Sequence, residues 1–76
     1  MIDLGEFMVV TSALTGRRVL INKMAVVKIT EPSQNSSNIL EKFCNIHFDP
    51  DMVVATSEKF DDLIEAFTTE ELEDFT

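Results

Sequence analysis

Apolar residues in this chain change period once along its length, and that change constrains the fold more than any other feature. From Glu6 to Thr56 they stand in short alternating or β-branched runs, the longest being four or five residues, as in Phe7-Met8-Val9-Val10. From Phe60 onward the period is helical, because Phe60, Leu63, Ile64 and Phe67 recur at i, i+3, i+4 and i+7 and so share one stripe. Strands followed by a single amphipathic helix predict an α+β fold, an antiparallel sheet covered on one face by that helix. A length of 76 residues leaves room for one small core and not for two.

The strand region reads as two hairpins plus one strand, about five strands in a single small sheet. Glu6 to Ala13 is rich in β-branched and aromatic types, and Arg18 to Asn22 returns beside it. Leu14-Thr15-Gly16-Arg17 supplies the turn, with Gly16 suited to a positive φ. Ala25 to Thr30 is a further extended run after a bend near Lys23, and it is stopped by Pro32, which has no N–H to give a ladder. Pro32 to Asn38 is polar and reads as a flexible loop, while Ile39 to Phe43 fits either a helical turn or the start of a strand. The second hairpin joins Cys44–Phe48 to Met52–Thr56 through the turn Asp49-Pro50-Asp51. Alternation puts Cys44, Ile46 and Phe48 on one face of that strand and Asn45 and His47 on the other. Thr56 or Ser57 is the expected N-cap of the helix. The pair Thr68-Thr69 predicts a bend, so residues 1–67 form the single domain and 68–76 a short acidic extension. Within that extension Thr68 and Glu71 stand at capping-box spacing and would open a second short helix with Leu72 and Phe75 as its apolar residues.

Charge is distributed unevenly. The formal net charge is −8, and residues 57–76 hold eight acids against one base while residues 1–56 hold six against five, so the C-terminal segment carries −7 and the sheet region −1. Glu58, Asp61, Asp62 and Glu65 repeat the spacing of the apolar stripe two residues out of step, which on a helix is about 200° away. These carboxylates are therefore expected opposite the core, with Glu70, Glu71, Glu73 and Asp74 extending the acidic surface. Such a surface argues against direct contact with nucleic acid or an anionic membrane, both of which require cationic groups. It suits a basic protein partner, with association that weakens as salt rises.

Other classes of function find little support in the residue inventory. No apolar run approaches the roughly 20 residues of a membrane-spanning helix. The acidic start Met1-Ile2-Asp3-Leu4-Gly5-Glu6 is unlike a signal or transit peptide, and with a single cysteine a cytoplasmic setting is expected. Two glycines are too few for a Gly-rich phosphate loop. Cys44 and His47 stand three apart on a strand and so point to opposite faces, which precludes a nucleophilic dyad; Cys44 reads as a core residue and His47 as a surface one. Asp49 and Asp51 are explained by turn chemistry, without the Gly and Glu that would complete a calcium loop. The helix carboxylates lack the Glu-x-x-His pair of a di-metal site. No enzyme activity, metal or cofactor is expected. The cations Arg17, Arg18 and Lys23, with His47, supply an alternative reading in which an oligomer sequesters a small anionic or nucleotide ligand between subunits.

One resemblance accompanies these patterns. Thr15-Gly16-Arg17-Arg18-Val19-Leu20-Ile21-Asn22, followed by Val26, Val27 and Ile29, and later Val53-Val54-Ala55-Thr56-Ser57-Glu58-Lys59-Phe60-Asp61-Asp62-Leu63-Ile64, resembles the small FlbD-like proteins associated with bacterial flagella and their phage counterparts. The likeness spans roughly residues 6–67 and lies in hydrophobic pattern more than in fixed residues. The chain departs from that pattern in a second hairpin without the usual Gly, a longer insert over residues 32–42 and the acidic tail. The resemblance implies a small oligomeric regulatory or accessory protein without catalytic residues.

The expectation from all of this is a non-enzymatic acidic interaction module of a bacterial or phage-infected cell. It would oligomerise, as a dimer or higher, through an edge or open face of its sheet, since so small a sheet buries little alone. It would bind or inhibit a basic protein, as a phage-type regulator or anti-defence inhibitor, in the strongest form by nucleic-acid mimicry.

Overall fold

The structure of the protein is a computed structural model, which describes the backbone of residues 1–74 and the side chains of residues 1–67. It is α+β, with two antiparallel three-stranded meanders and one C-terminal helix. Sheet 1 consists of β1 (Ile2–Leu4), β2 (Phe7–Thr11) and β3 (Arg18–Asn22) in that order. Sheet 2 consists of β4 (Val26–Thr30), β5 (Cys44–Phe48) and β6 (Met52–Thr56), again in chain order. The helix, α1, runs Phe60–Asp74.

A single five-stranded sheet was the expectation, and the division into two sheets of three corrects it. The physical cause lies at Lys23–Ala25, a 3-10 turn capped by the Asn22 side chain, whose oxygen accepts from the Met24 N–H at 3.0 Å. That turn carries the chain from β3 to β4 without pairing them. The apolar inner faces of both sheets then contribute to one core instead of lying side by side. Met8, Val10 and Ile21 come from sheet 1, Cys44 and Ile46 from sheet 2, and Leu63 and Ala66 from α1. The extra strand, β1, pairs antiparallel with β2 through Asp3↔Met8, and Gly5, at φ 81°, makes the turn between them.

The two meanders are joined at one corner. Ser12 bridges Thr56, the Ala13 N–H donates to the Ala55 carbonyl at 2.8 Å, and the Ser57 N–H donates to the Thr11 carbonyl at 3.3 Å. Thr56, fully buried, adds a hydroxyl bond to the same Thr11 carbonyl at 2.9 Å and accepts from the Glu58 N–H at 3.2 Å. Thr56 is thus the last residue of β6 and part of this joint, not the helix N-cap. The helix begins at Phe60, where the Lys59 carbonyl accepts from the Leu63 N–H at 3.1 Å.

The helix also continues through Thr68-Thr69 to Asp74, so the expected bend and second short helix do not form. A threonine costs only about half a kcal/mol relative to alanine in a helix interior, and the following Glu-Glu-Leu-Glu are good helix formers. The stripe that α1 buries differs slightly from the one expected. Leu63 and Ala66 are buried, Phe60 and Phe67 half-buried, and Ile64 is 43% exposed at the stripe's margin.

The polar segment after β4 is fastened to sheet 2. Ile39–Lys42 is a 3-10 turn capped by Asn38, the Ser33 N–H donates to the Glu41 carbonyl, and Ser36 bonds the Glu41 carboxylate. Asn45, on the outer face of β5, donates through Nδ2 to the Leu40 and Phe43 carbonyls at 2.8 and 3.1 Å and is buried by this arrangement. The β5–β6 turn contains a cis Asp49–Pro50 peptide.

Candidate interaction surfaces

The acidic surface is built on α1 and on the strand end beside it. Asp61, Asp62 and Glu65 are exposed, on the side of the helix away from Leu63 and Ala66. Asp61 and Asp62 also lie in the first turn, where the positive end of the helix dipole favours carboxylates. Glu58 departs from the expected pattern. It precedes the helix, is half-buried, and its Oε2 lies 3.3 Å from the Met1 ammonium. The reason is the late start of α1: Glu58 belongs to the turn held by Thr56 and is not in register with Asp61, Asp62 and Glu65. Glu70, Glu71, Glu73 and Asp74 lie on the last turns of α1, with side chains outside the described residues.

Asp62 and Glu65 reach toward β1. Together with Met1, Asp3 and Ala66 they line a hollow of about 340 Å³ where the helix crosses the end of sheet 1. Its cationic counterpart is Lys23, whose Nζ donates to Asp3 Oδ1 at 2.7 Å and to the Ala66 carbonyl at 2.8 Å. The same ammonium lies 5.8 Å from the centre of the Phe67 ring. Lys23 therefore ties β1, the turn after β3 and α1 together. The Lys23 ammonium and then the Gly5 N–H hold the Asp3 carboxyl below its ordinary pKa.

The four cationic residues of the alternative reading are not brought together in one copy of the chain. Arg17 and Arg18 are exposed at the β2–β3 end, whereas Lys23 follows the opposite end of β3, about 16 Å away at strand rise. The Lys23 ammonium is already engaged by Asp3 and the helix. His47 stands on the outer face of sheet 2, with Nε2 3.2 Å from the Thr30 hydroxyl.

The alternation along β5 is as expected from sequence. Cys44 faces the core, 2% exposed, where burial and then the nearby Glu31 charge raise its pKa, while His47 faces outward. Among the described residues no group of His, Cys, Asp and Glu is arranged to hold a metal ion, and no helix is long and apolar enough to cross a membrane.

A second surface was not anticipated in detail. The outward side of sheet 1 carries Ile2, Leu4, Phe7 and Leu20, apolar and exposed, with half-buried Val9 between them. The signal was present in the alternation of Ile2 with Leu4 and of Phe7 with Val9. It could be read only once β1 was known to pair with β2, because the pairing sets all of them on one side. Comparison of the chain with protein-family models, with curated proteins and with solved structures gives no match.

Proposed function

We propose that the protein is a non-enzymatic interaction module that self-associates and uses the acidic side of α1 to bind, and so occlude, a basic site on a protein partner. The observation that carries this reading is the division of α1 into two sides. Leu63 and Ala66 are buried against both sheets, while Asp61, Asp62 and Glu65 stand in solvent in a segment of net charge −7. Neighbouring like charges on a helix oppose its formation by about 0.2–0.5 kcal/mol per pair. A surface that retains them gains in return a field that steers a cationic partner and speeds its association. Carboxylates spaced along a helix also offer an array of anionic oxygens to a site that takes phosphates, which makes a nucleic-acid-binding protein a fitting target. An anti-defence or regulatory role by simple occupancy is the form of activity this chemistry supports.

The test compares the wild type with a variant carrying Asp61→Asn, Asp62→Asn and Glu65→Gln, each captured against a bacterial lysate at low and at high salt. The expected outcome is a partner of basic character retained at low salt, released at high salt and lost from the triple variant. Equal capture by the variant, with a far-ultraviolet spectrum like that of the wild type, refutes the acidic side of α1 as the binding surface.

A further inference from the structure

Cross-strand register places two apolar rows on the outward side of sheet 1. Ile2, Val9 and Leu20 form one row across the three strands, and Leu4 and Phe7 form the next, completed by Asn22. Ile2, Leu4 and Leu20 are 50%, 56% and 61% exposed, although the residues alternating with them in β2 and β3, Met8, Val10 and Ile21, are the buried core. The one charged residue of this side, Arg18, is at its end, paired with Thr11. Polar residues normally occupy the outward side of an antiparallel sheet that faces water.

We infer that this face of sheet 1 is where a second copy of the chain packs, sheet against sheet. The inference rests on the self-association proposed above and assigns the surface that performs it. Three features favour a copy over another partner. A face with apolar rows and a neutral centre is self-complementary under a two-fold axis, so row meets row without any charge to match. The exposed acids Asp61, Asp62 and Glu65 stand on the helix, which packs on the other side of sheet 1, so two copies joined here keep these carboxylates away from the seam, where their mutual repulsion would count most. The exposed parts of the five apolar side chains amount to roughly 350 Å² per copy, an area at the level where single patches on monomers become functional. With the rim from Thr11, Arg18 and Asn22, two copies would bury about 1,000 Å² in total, the lower bound of a specific interface. An interface of that size suits a weak dimer in exchange with the monomer.

Sedimentation of the full chain over a range of concentrations tests this, with Leu20→Lys as the disrupting variant and Met24→Lys as the control. Leu20 is 61% and Met24 86% exposed, so neither change touches the core, and circular dichroism verifies that both variants fold. The expected result is a concentration-dependent dimer for the wild type and for Met24→Lys, with the midpoint for Leu20→Lys raised at least tenfold. An unchanged dimer in Leu20→Lys overturns this face while leaving self-association intact. A wild type that stays monomeric at every concentration overturns both. A monomeric wild type that captures a different protein in a Leu20-dependent way assigns the face to that protein and likewise overturns the inference.

Discussion

Thr56→Val should destabilise the protein by about 1–3 kcal/mol while keeping the side chain's volume and branching. The hydroxyl is fully buried and makes two hydrogen bonds, to the Thr11 carbonyl at 2.9 Å and from the Glu58 N–H at 3.2 Å. A neutral hydrogen bond contributes about 0.5–1.5 kcal/mol net, and a buried group left without its partner costs more than that mean. The two ends fare differently. The Thr11 carbonyl keeps the Ser57 N–H, at the longer distance of 3.3 Å, whereas among the described residues the Thr56 hydroxyl is the acceptor for the Glu58 N–H. Total stability for 76 residues should be about 4–11 kcal/mol at the usual per-residue value, so the substitution removes a substantial part of it. Urea unfolding followed by far-ultraviolet circular dichroism is the suitable assay, because the chain has no Trp or Tyr. Protein concentration must be fixed, since association contributes to apparent stability. Thr56→Ser keeps both bonds and gives up one methyl, about 1 kcal/mol. A valine variant as stable as the wild type, or more stable than the serine variant, refutes the assignment of the joint's strength to these hydrogen bonds.

Further expectations concern the helix and the turn beside it. Leu63→Ala should cost about 2–5 kcal/mol and Ile64→Ala under about 1 kcal/mol, because Leu63 is fully buried between the sheets and Ile64 is 43% exposed; equal costs in matched urea titrations would contradict the observed stripe. Asp3 is held below its ordinary pKa in the folded chain, so its ionisation favours folding above about pH 4, and that contribution is lost as pH falls through the lowered folded value. Asp3→Asn should flatten the acid limb of the stability profile, and a limb of unchanged steepness would show that Lys23 does not discriminate the charged form.

Much of this fold could be read from local pattern, and what could not depended on distant partners. The strands β2, β3, β4, β5 and β6 and the helix all carry their own period, so each was visible in sequence. Ile2-Asp3-Leu4 is too short to show a period, and it becomes a strand only because β2 offers it an edge. The division into two sheets turns on three residues, Lys23–Ala25, whose 3-10 geometry no hydrophobic alternation encodes. Thr56 illustrates the same limit. Its residue type and place before a helix suited a cap, but burial against Thr11, 45 residues away, put its hydroxyl to a different use. For the surfaces, the exposed carboxylates of α1 followed from helical geometry, whereas Glu58 left the pattern because the helix starts two residues later. The apolar side of sheet 1 depended on register, which the sequence of any one strand does not contain.

The corner joint also has a bearing on how the chain reaches its fold. Each meander pairs only strands that are neighbours in sequence, so both can assemble from local contacts with little entropy lost to loop closure. The link between Thr11–Ala13 and Ala55–Ser57 is of the opposite kind, and bringing its ends together costs about 3 kcal/mol in chain entropy before any bond is made. The joint is then expected to form late on the route, after strand pairing within each meander. In kinetic experiments the Thr56→Val penalty should accordingly fall mainly on the unfolding rate, with the folding rate of the chain nearly that of the wild type.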